Sequence, residues 1–366
     1  MSAIISKVEK KLCKYFGREY CVLTGRAASA IYLALKVIPK QSGKVVLPAI
    51  HCPSPASVSL YAGFEPIFAD VDLKDFNMSV ASFETILETH ADIAAVIPVH
   101  LFGFACDMDS ILKLAKKKNI TVIEDAAQAM GAEYKGRKVG SFGEMSVVSF
   151  GHTKTLDVGW GGAVLTDDEA FYKSLLAEEA KLPECPDNIE AMYTEYRKDY
   201  YACKAKADKD EKENALFVSF PKQYRDMYLF KCAPEYAEKI DAALPKLDSL
   251  IRMRREHSTL YAKRLQNIKI TVPTYAEPGV PWRFSFLVNN DQQKALTEKL
   301  HAEGLDASNW YPPLYKWYES GLKQPAGFFS NSDFLDKHII NLWVDSRANQ
   351  AYISKVCDVV LDALKE

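Results

Sequence analysis

Three short apolar runs end on residues that could share one piece of chemistry. After Ile120–Ile123 the chain reads Glu124-Asp125-Ala126-Ala127-Gln128. After Val147–Phe150 it reads Gly151-His152-Thr153-Lys154, followed by the glycine-rich Gly159-Trp160-Gly161-Gly162. Earlier, Val22-Leu23 leads into Thr24-Gly25-Arg26-Ala27-Ala28, which opens a helical pattern through Ile31, Ala34, Leu35 and Ile38. A helix N-terminus offers unbonded N–H groups and the positive end of a dipole, which suits a phosphate. An aspartate at a buried strand end can hold a ring nitrogen protonated, and a lysine can form an imine with an aldehyde. Pyridoxal phosphate asks for all three. Singly, each feature has a plainer reading: a surface lysine, a helix-capping aspartate, an ordinary Thr-Gly turn. Their order along the chain is what gives them weight.

The elements that must position these residues are short and alternate. Lys44–Pro48, Glu65–Phe68, Ala94–Val99, Ile120–Glu124, Glu144–Phe150 and Ala163–Thr166 read as strands, several too apolar to have a solvated face. Helical patterns such as Met108–Lys118 separate them. Strands apolar on both sides and separated by helices indicate an α/β fold with a mostly parallel sheet covered on both faces. Ligands of such sheets lie beyond the carboxyl ends of the strands, where the residues above fall. From Lys181 to Arg225 the periodicity fades into a tyrosine cluster (Tyr193, Tyr196, Tyr200, Tyr201) and a charge run from Lys204 to Lys212, read as a solvated loop or helix face. Glu235–Leu265 reads as one long helix. Beyond it, strands at Arg283–Val288 and Ile339–Val344, a helix at Gln292–Glu303 and a closing helix suggest a smaller α+β domain. The expected division is residues 1–245 for the large domain and 246–366 for the small one.

Composition narrows the function further. A chain of 366 residues with 48% hydrophobic residues can bury one large core and a second, smaller one. A net charge of -2 gives no electrostatic case for nucleic acid or an anionic membrane. The 8 cysteines include no C-x-x-C pair, which argues against a zinc site or a disulfide framework and points to a reducing cytoplasm. No apolar run approaches the roughly 18 residues of a membrane span. Residues 1–16 read as an amphipathic helix, since lysines and glutamate interrupt the apolar centre a signal peptide needs.

The sequence resembles the DegT/DnrJ/EryC1/StrS sugar aminotransferases, fold-type I pyridoxal-phosphate enzymes with a large domain and a smaller C-terminal α+β domain. The resemblance follows the order of Thr24-Gly25-Arg26-Ala27-Ala28, Val46-Leu47-Pro48-Ala49, Ala62-Gly63-Phe64-Glu65-Pro66 and Asp70-Val71-Asp72. It continues through Pro98-Val99-His100-Leu101-Phe102-Gly103, Ile123-Glu124-Asp125-Ala126-Ala127-Gln128, Gly140-Ser141-Phe142-Gly143, Ser149-Phe150, Lys154 and Gly161-Gly162-Ala163-Val164. In the C-terminal third, Leu247-Asp248 to Arg254-Arg255 and Trp310-Tyr311-Pro312-Pro313-Leu314 match more loosely. It implies Lys154 as the Schiff-base lysine and proton carrier, Asp125 as partner of the ring nitrogen and Gln128 as partner of the phenolic oxygen. The backbone amides of Gly25 and Arg26 and the Ser149 hydroxyl would hold the phosphate. It further implies glutamate or glutamine as amino donor, a keto-sugar acceptor, often nucleotide-linked, and a homodimer with shared active sites.

Several positions depart from the family pattern. Where the family places an aromatic residue against the cofactor ring, this chain has Cys52, beside His51; either His51 stacks on the ring or it is an ordinary core residue. His51, Trp310 and Tyr311 are the candidate substrate contacts. The family's Asn-x-Arg, which reaches the neighbouring subunit's phosphate, has Gln223-Tyr224-Arg225 as its nearest match. Trp160 stands where many members carry an acid, and reads either as an interface anchor for the dimer or as a residue buried in its own chain. A dehydratase branch carries histidine in the lysine slot; here His152 lies two positions before it and Lys154 fills it. Two other readings remain beside transamination: a different pyridoxal-phosphate reaction on a sugar or amino acid, and a non-catalytic regulator keeping the fold.

Overall fold

The computed structural model describes residues 2–207, 223–275, 277–318 and 327–365. Seven strands form the main sheet: β1 (Tyr20–Thr24), β2 (Lys44–Pro48), β3 (Glu65–Ala69), β4 (Ile93–Val96), β5 (Thr121–Asp125), β6 (Met145–Ser149) and β7 (Gly162–Thr166). Their spatial order is β1-β7-β6-β5-β4-β2-β3. β7 runs antiparallel to both its neighbours, and every other pairing is parallel. The expected α/β class and mostly parallel sheet are what the chain forms. Strand polarity explains the absence of a solvated face: in β2, Val45 and Leu47 enter one core cluster and Val46 enters the other. The two-residue period therefore feeds two cores at once.

Helices cover both faces. The first (Ala3–Phe16) buries Val8, Leu12 and Phe16 and stops at Gly17, whose φ of +67° is a left-handed cap that other residues adopt at a cost. The helix after β1 (Ala27–Val37) runs from Thr24-Gly25-Arg26 as its sequence suggested. Met108–Lys118 is helical within its expected bounds, capped at one end by the Asp107 carboxylate and ended by Asn119 at φ +53°.

Two expectations need correction. The single helix at Glu235–Leu265 is two, Pro234–Ala243 and Leu247–Arg264, joined by a tight 3-10 turn at Leu244–Lys246. Pro245 has no N–H to donate to the preceding turn, so the hydrogen-bond ladder breaks there. The patternless segment after Lys181 contains a helix, Ile189–Ala207. Its apolar signal is carried by tyrosines: Tyr193, Tyr196 and Tyr200 lie on one face and stack in succession. The charge run is helical as far as Ala207, and its remainder lies outside the described residues.

A second, three-stranded antiparallel sheet pairs Ile339–Leu342 with Phe284–Leu287 on one side and Ala307–Ser308 on the other. It builds its own core with Tyr261, Leu296, Leu300, Ile353 and Val356. Tyr311, Leu314, Trp317 and Tyr318 instead join the large core. This connection brings the C-terminal third up to the strand ends where the candidate residues sit. Among the described residues, no helix is long and apolar enough to cross a membrane.

Candidate active site

β5 delivers two acids with opposite fates. Because side chains alternate along a strand, Glu124 and Asp125 face different sides. Glu124 accepts from His100 Nε2 at 2.8 Å, from Gly140 N–H at 2.6 Å and from Phe142 N–H at 2.7 Å. His100 Nδ1 accepts the Cys106 N–H, which leaves Nε2 as the donor to Glu124. Glu124 is thus saturated and holds the turn before β6. Asp125, only 3% exposed, accepts one bond, from Ala127 N–H at 2.9 Å. Its backbone is pinned between Pro98 O and His100 N–H. Burial pushes its carboxyl above the usual range, opposed by the Ala127 bond and the charge of Lys154.

Lys154 follows β6 on a loop held by four hydrogen bonds from three side chains. Its carbonyl accepts from Arg254 Nη2 at 3.1 Å, and the carbonyl of Thr153 accepts from Trp282 Nε1 at 3.0 Å. The Asp157 carboxylate accepts the N–H groups of Thr153 and Gly159. Thr153 itself sits at φ +69°, a conformation those bonds stabilise. No hydrogen bond ties Lys154 Nζ to the described residues. Burial lowers the pKa of the amine; Cys52 and Asp125 oppose that effect, and Arg283 and Arg26 add to it. More of the neutral, nucleophilic amine results.

The phosphate candidates divide. Arg26 is the N-cap of the helix Ala27–Val37, so its amide and those of the first turn have no partner inside the helix. Ser149 ends β6 and is buried, its Oγ accepting the Gly151 N–H at 3.3 Å. Gly25 is different. Its N–H donates to the Phe230 carbonyl at 3.0 Å, and a Cβ there would lie 2.2 Å from the Phe230 ring. This glycine is demanded by Phe230, and in this structure its amide is engaged by the Phe230 carbonyl. The Arg26 side chain turns away to the Met227 carbonyl and lies between the rings of Trp160 and Tyr228.

The other candidates surround the lysine. Gln128 is not a helix-surface amide: Oε1 accepts the Phe102 N–H at 3.0 Å and Nε2 donates to Tyr311 Oη at 3.1 Å. Tyr311 stacks on Trp282, with centroids 5.7 Å apart. Cys52 follows β2, half-buried, packed against the large core with its Sγ 3.5 Å from the Ser54 hydroxyl. His51 takes the core alternative: it is fully buried, packs near Phe68 and bonds the Cys52 carbonyl through Nδ1. Burial lowers its pKa to about 4, so the ring is neutral. Trp310 stacks on Tyr200 at the far side. Arg225, of the nearest Asn-x-Arg match, is exposed.

Trp160 also takes its intrachain alternative. It is 2% exposed, packs against Tyr193, His152 and Phe230 of its own chain, and donates its indole N–H to Glu190 at 2.5 Å. The interface-anchor reading of this residue is withdrawn. His152 is stacked on Tyr193 at 4.8 Å beside it, a loop residue of the same aromatic cluster. Sequence reasoning gave no role to Arg254, Trp282 or Arg283. Arg254 belonged to a weakly matching block, and Trp282-Arg283 only to a strand start.

With this geometry in view, comparison with known sequences is informative. The pattern of the DegT/DnrJ/EryC1/StrS aminotransferase family matches residues 3–181 and 238–361. The chain belongs to this family. The part between the matched blocks holds the tyrosine helix and Phe230, so the partner of Gly25 comes from outside the shared pattern. Among relatives, GDP-perosamine synthase of Escherichia coli O157:H7 is 36% identical over 173 residues, 47% of each chain. The matched stretch thus spans just under half the length of that relative. UDP-N-acetyl-3-dehydro-alpha-D-glucosamine 3-aminotransferase of Acidithiobacillus ferrooxidans is 29% identical over 356 residues, 96% of this chain and 86% of its own. In three dimensions, a DegT DnrJ EryC1 StrS aminotransferase from Brucella abortus superposes with a TM-score of 0.79 at 22% identity, covering 100% of this chain and 91% of that one.

Proposed function

We propose that this family member is a pyridoxal-phosphate aminotransferase that passes an amino group from glutamate or glutamine to a nucleotide-linked keto-sugar. The observation that carries the proposal is a juxtaposition: a desolvated lysine amine with no hydrogen-bond partner among the described residues, beside a buried aspartate with acceptor capacity to spare. A purely structural pair would have closed on itself or on other groups. The residues present fit the cofactor. Asp125 has a second oxygen for a ring N–H, Lys154 Nζ is unbonded, and Arg26, the first helical turn and the Ser149 hydroxyl offer donors for a phosphate.

Bound there, pyridoxal phosphate supplies an aldehyde and an electron sink. The chain supplies the rest. Asp125 keeps a proton on the ring nitrogen. The Gln128 amide, its Oε1 held by the Phe102 N–H and its Nε2 bonded to Tyr311, would donate its second N–H to the phenolic oxygen. Lys154 Nζ takes a proton from a substrate carbon and returns it elsewhere, a general-base task suited by its lowered pKa. The loop clamps from Arg254, Trp282 and Asp157 fix the line along which that proton moves. His152 is engaged by Tyr193 and Trp160, which leaves Lys154 as the group available for the chemistry and speaks for transamination over dehydration.

Support for the sugar comes from the relatives, whose names specify GDP- and UDP-linked amino sugars. The same reading includes a homodimer, which sedimentation at low micromolar concentration tests. For the reaction itself, the cofactor-loaded protein is mixed with L-glutamate and then with a panel of nucleotide-linked 3- and 4-keto-sugars. The yellow colour should fade with the donor and return with one acceptor. A colour unmoved by glutamate, glutamine and the other amino acids would overturn the proposal.

A further inference from the structure

Three arginines are buried among the described residues, and two of them are accounted for. Arg18 pairs with Asp167 and with the carbonyls of Phe142 and Gly143. Arg254 bonds the carbonyls of Pro281, Trp282 and Lys154, as described. Arg283 is 3% exposed yet makes one bond, from Nη1 to the carbonyl of its neighbour Trp282 at 2.7 Å. No carboxylate among the described residues forms an ion pair with it. Asp345, the acid whose charge bears on it most, is taken by Arg347.

A guanidinium stripped of water and given no anion is costly. The fold nevertheless fixes this one firmly. Its plane lies between two indoles, 4.0 Å from the Trp282 ring centre and 3.3 Å from that of Trp343. Cation–π contacts offset part of the cost, but they use the faces of the guanidinium and leave its edge unbonded. That edge is not sealed: the Nε and Nη2 atoms of Arg283 are absent from the polar atoms that are both enclosed and unpartnered, whereas Arg254 Nε is among them. The open edge therefore has access to a space. Trp282, on whose ring Arg283 lies, donates to the Thr153 carbonyl next to Lys154 and stacks on Tyr311, which sets that space beside the lysine.

We infer that Arg283 is the carboxylate-binding residue of the substrate cleft, its free edge forming a two-pronged bond with a carboxylate of the molecule that reacts over Lys154. A planar fork held between two rings matches a carboxylate and discriminates against the neutral amide or alcohol in its place. The carboxylate comes either from the amino-acid donor or from an acidic sugar acceptor. This assignment rests on the proposed function only for the presence of a substrate cleft at Lys154; the test below reads binding and needs no turnover.

Cofactor-loaded wild-type protein, Arg283→Gln and Arg283→Lys are titrated by calorimetry with two unreactive carboxylates and their neutral counterparts. Glutarate against glutaramide represents the donor, and glucuronate against glucose the acidic sugar. In the wild type, at least one carboxylate should bind and its neutral counterpart should not; which one does so identifies the source. Arg283→Gln should weaken that binding about thirtyfold or more, as expected when one partner of a buried charge pair is removed. Arg283→Lys should keep part of it, with cofactor content and melting temperature unchanged. Equal binding of each carboxylate and its neutral counterpart to the wild type, or no carboxylate binding at all, would overturn the assignment even if Arg283→Gln fails to fold. Loss of colour change with glutamate, alongside intact Arg283-dependent carboxylate binding, would instead count against transamination alone.

Discussion

Replacing Trp160 with alanine separates two ways of holding the lysine loop. The indole is buried against Phe230, Tyr193 and His152, donates to Glu190, and has the Arg26 guanidinium 5.3 Å from its ring centre. Removing a buried tryptophan costs about 3–5 kcal/mol in lost burial and residual cavity. The indole N–H bond and the cation–π contact each add about 1 kcal/mol, less than additively because they share one site. A net loss of about 4 kcal/mol is expected, equivalent to a fall of roughly 5 °C in the melting temperature of a chain this size. Trp160→Phe keeps most of the apolar contact and should lose about 1–2 kcal/mol. Thermal and urea unfolding of the cofactor-free protein, at two concentrations tenfold apart, reads both. The destabilisation should be the same at each concentration, because every contact lies within one chain. Unchanged unfolding with weakened self-association would refute this and restore the tryptophan to an interface.

Two further substitutions test the electrostatics. Burial raises the pKa of Asp125, so the folded chain holds its proton to higher pH than the unfolded chain, and stability falls as pH rises from the usual value of 3.8 through the raised one. Asp125→Asn removes that cost: at pH 7 the cofactor-free variant should melt no lower than the wild type, while turnover drops about a hundredfold or more. A melting temperature well below wild type, with turnover intact, would make Asp125 a structural cap. His51 has the opposite dependence. Its pKa falls from 6.5 to about 4, so its contribution is complete above pH 6.5 and is lost as pH falls toward 4. That gap corresponds to about 3 kcal/mol. His51→Asn, whose amide can still donate to the Cys52 carbonyl, should flatten the acid limb of the stability profile over this window; an unchanged limb would mean that the ring is not sealed from water.

Local signals were read well where one residue decides the outcome. Lys44–Pro48 is an apolar run bounded by Gly43 and Pro48, and it is a strand over those residues. Asp107 and Asn119 fix both ends of Met108–Lys118. The broken helix shows the converse: Pro245 was legible as a breaker, but the apolar spacing of Ile240, Leu244, Leu247 and Ile251 persists across it and hid the break. Tyr193, Tyr196 and Tyr200 have helical spacing too, yet they read as a cluster because tyrosine has no strong helix preference. What the sequence could not convey is contact across long separations. Gly25 and Phe230 are far apart in the chain, and only folding brings the carbonyl of one to the amide of the other. The same holds for Arg283: an arginine beginning a strand reads as a surface residue until both neighbouring indoles and the missing carboxylate are seen.

The central claim is that Lys154 carries the cofactor. The protein is loaded with pyridoxal phosphate, reduced with borohydride to fix any lysine linkage, digested, and its peptides are weighed and fragmented. The account predicts one modified lysine, Lys154, and a Lys154→Ala protein that folds but is neither coloured nor labelled. A stable label on another lysine, or a Lys154→Ala variant that retains colour and turnover, would contradict it.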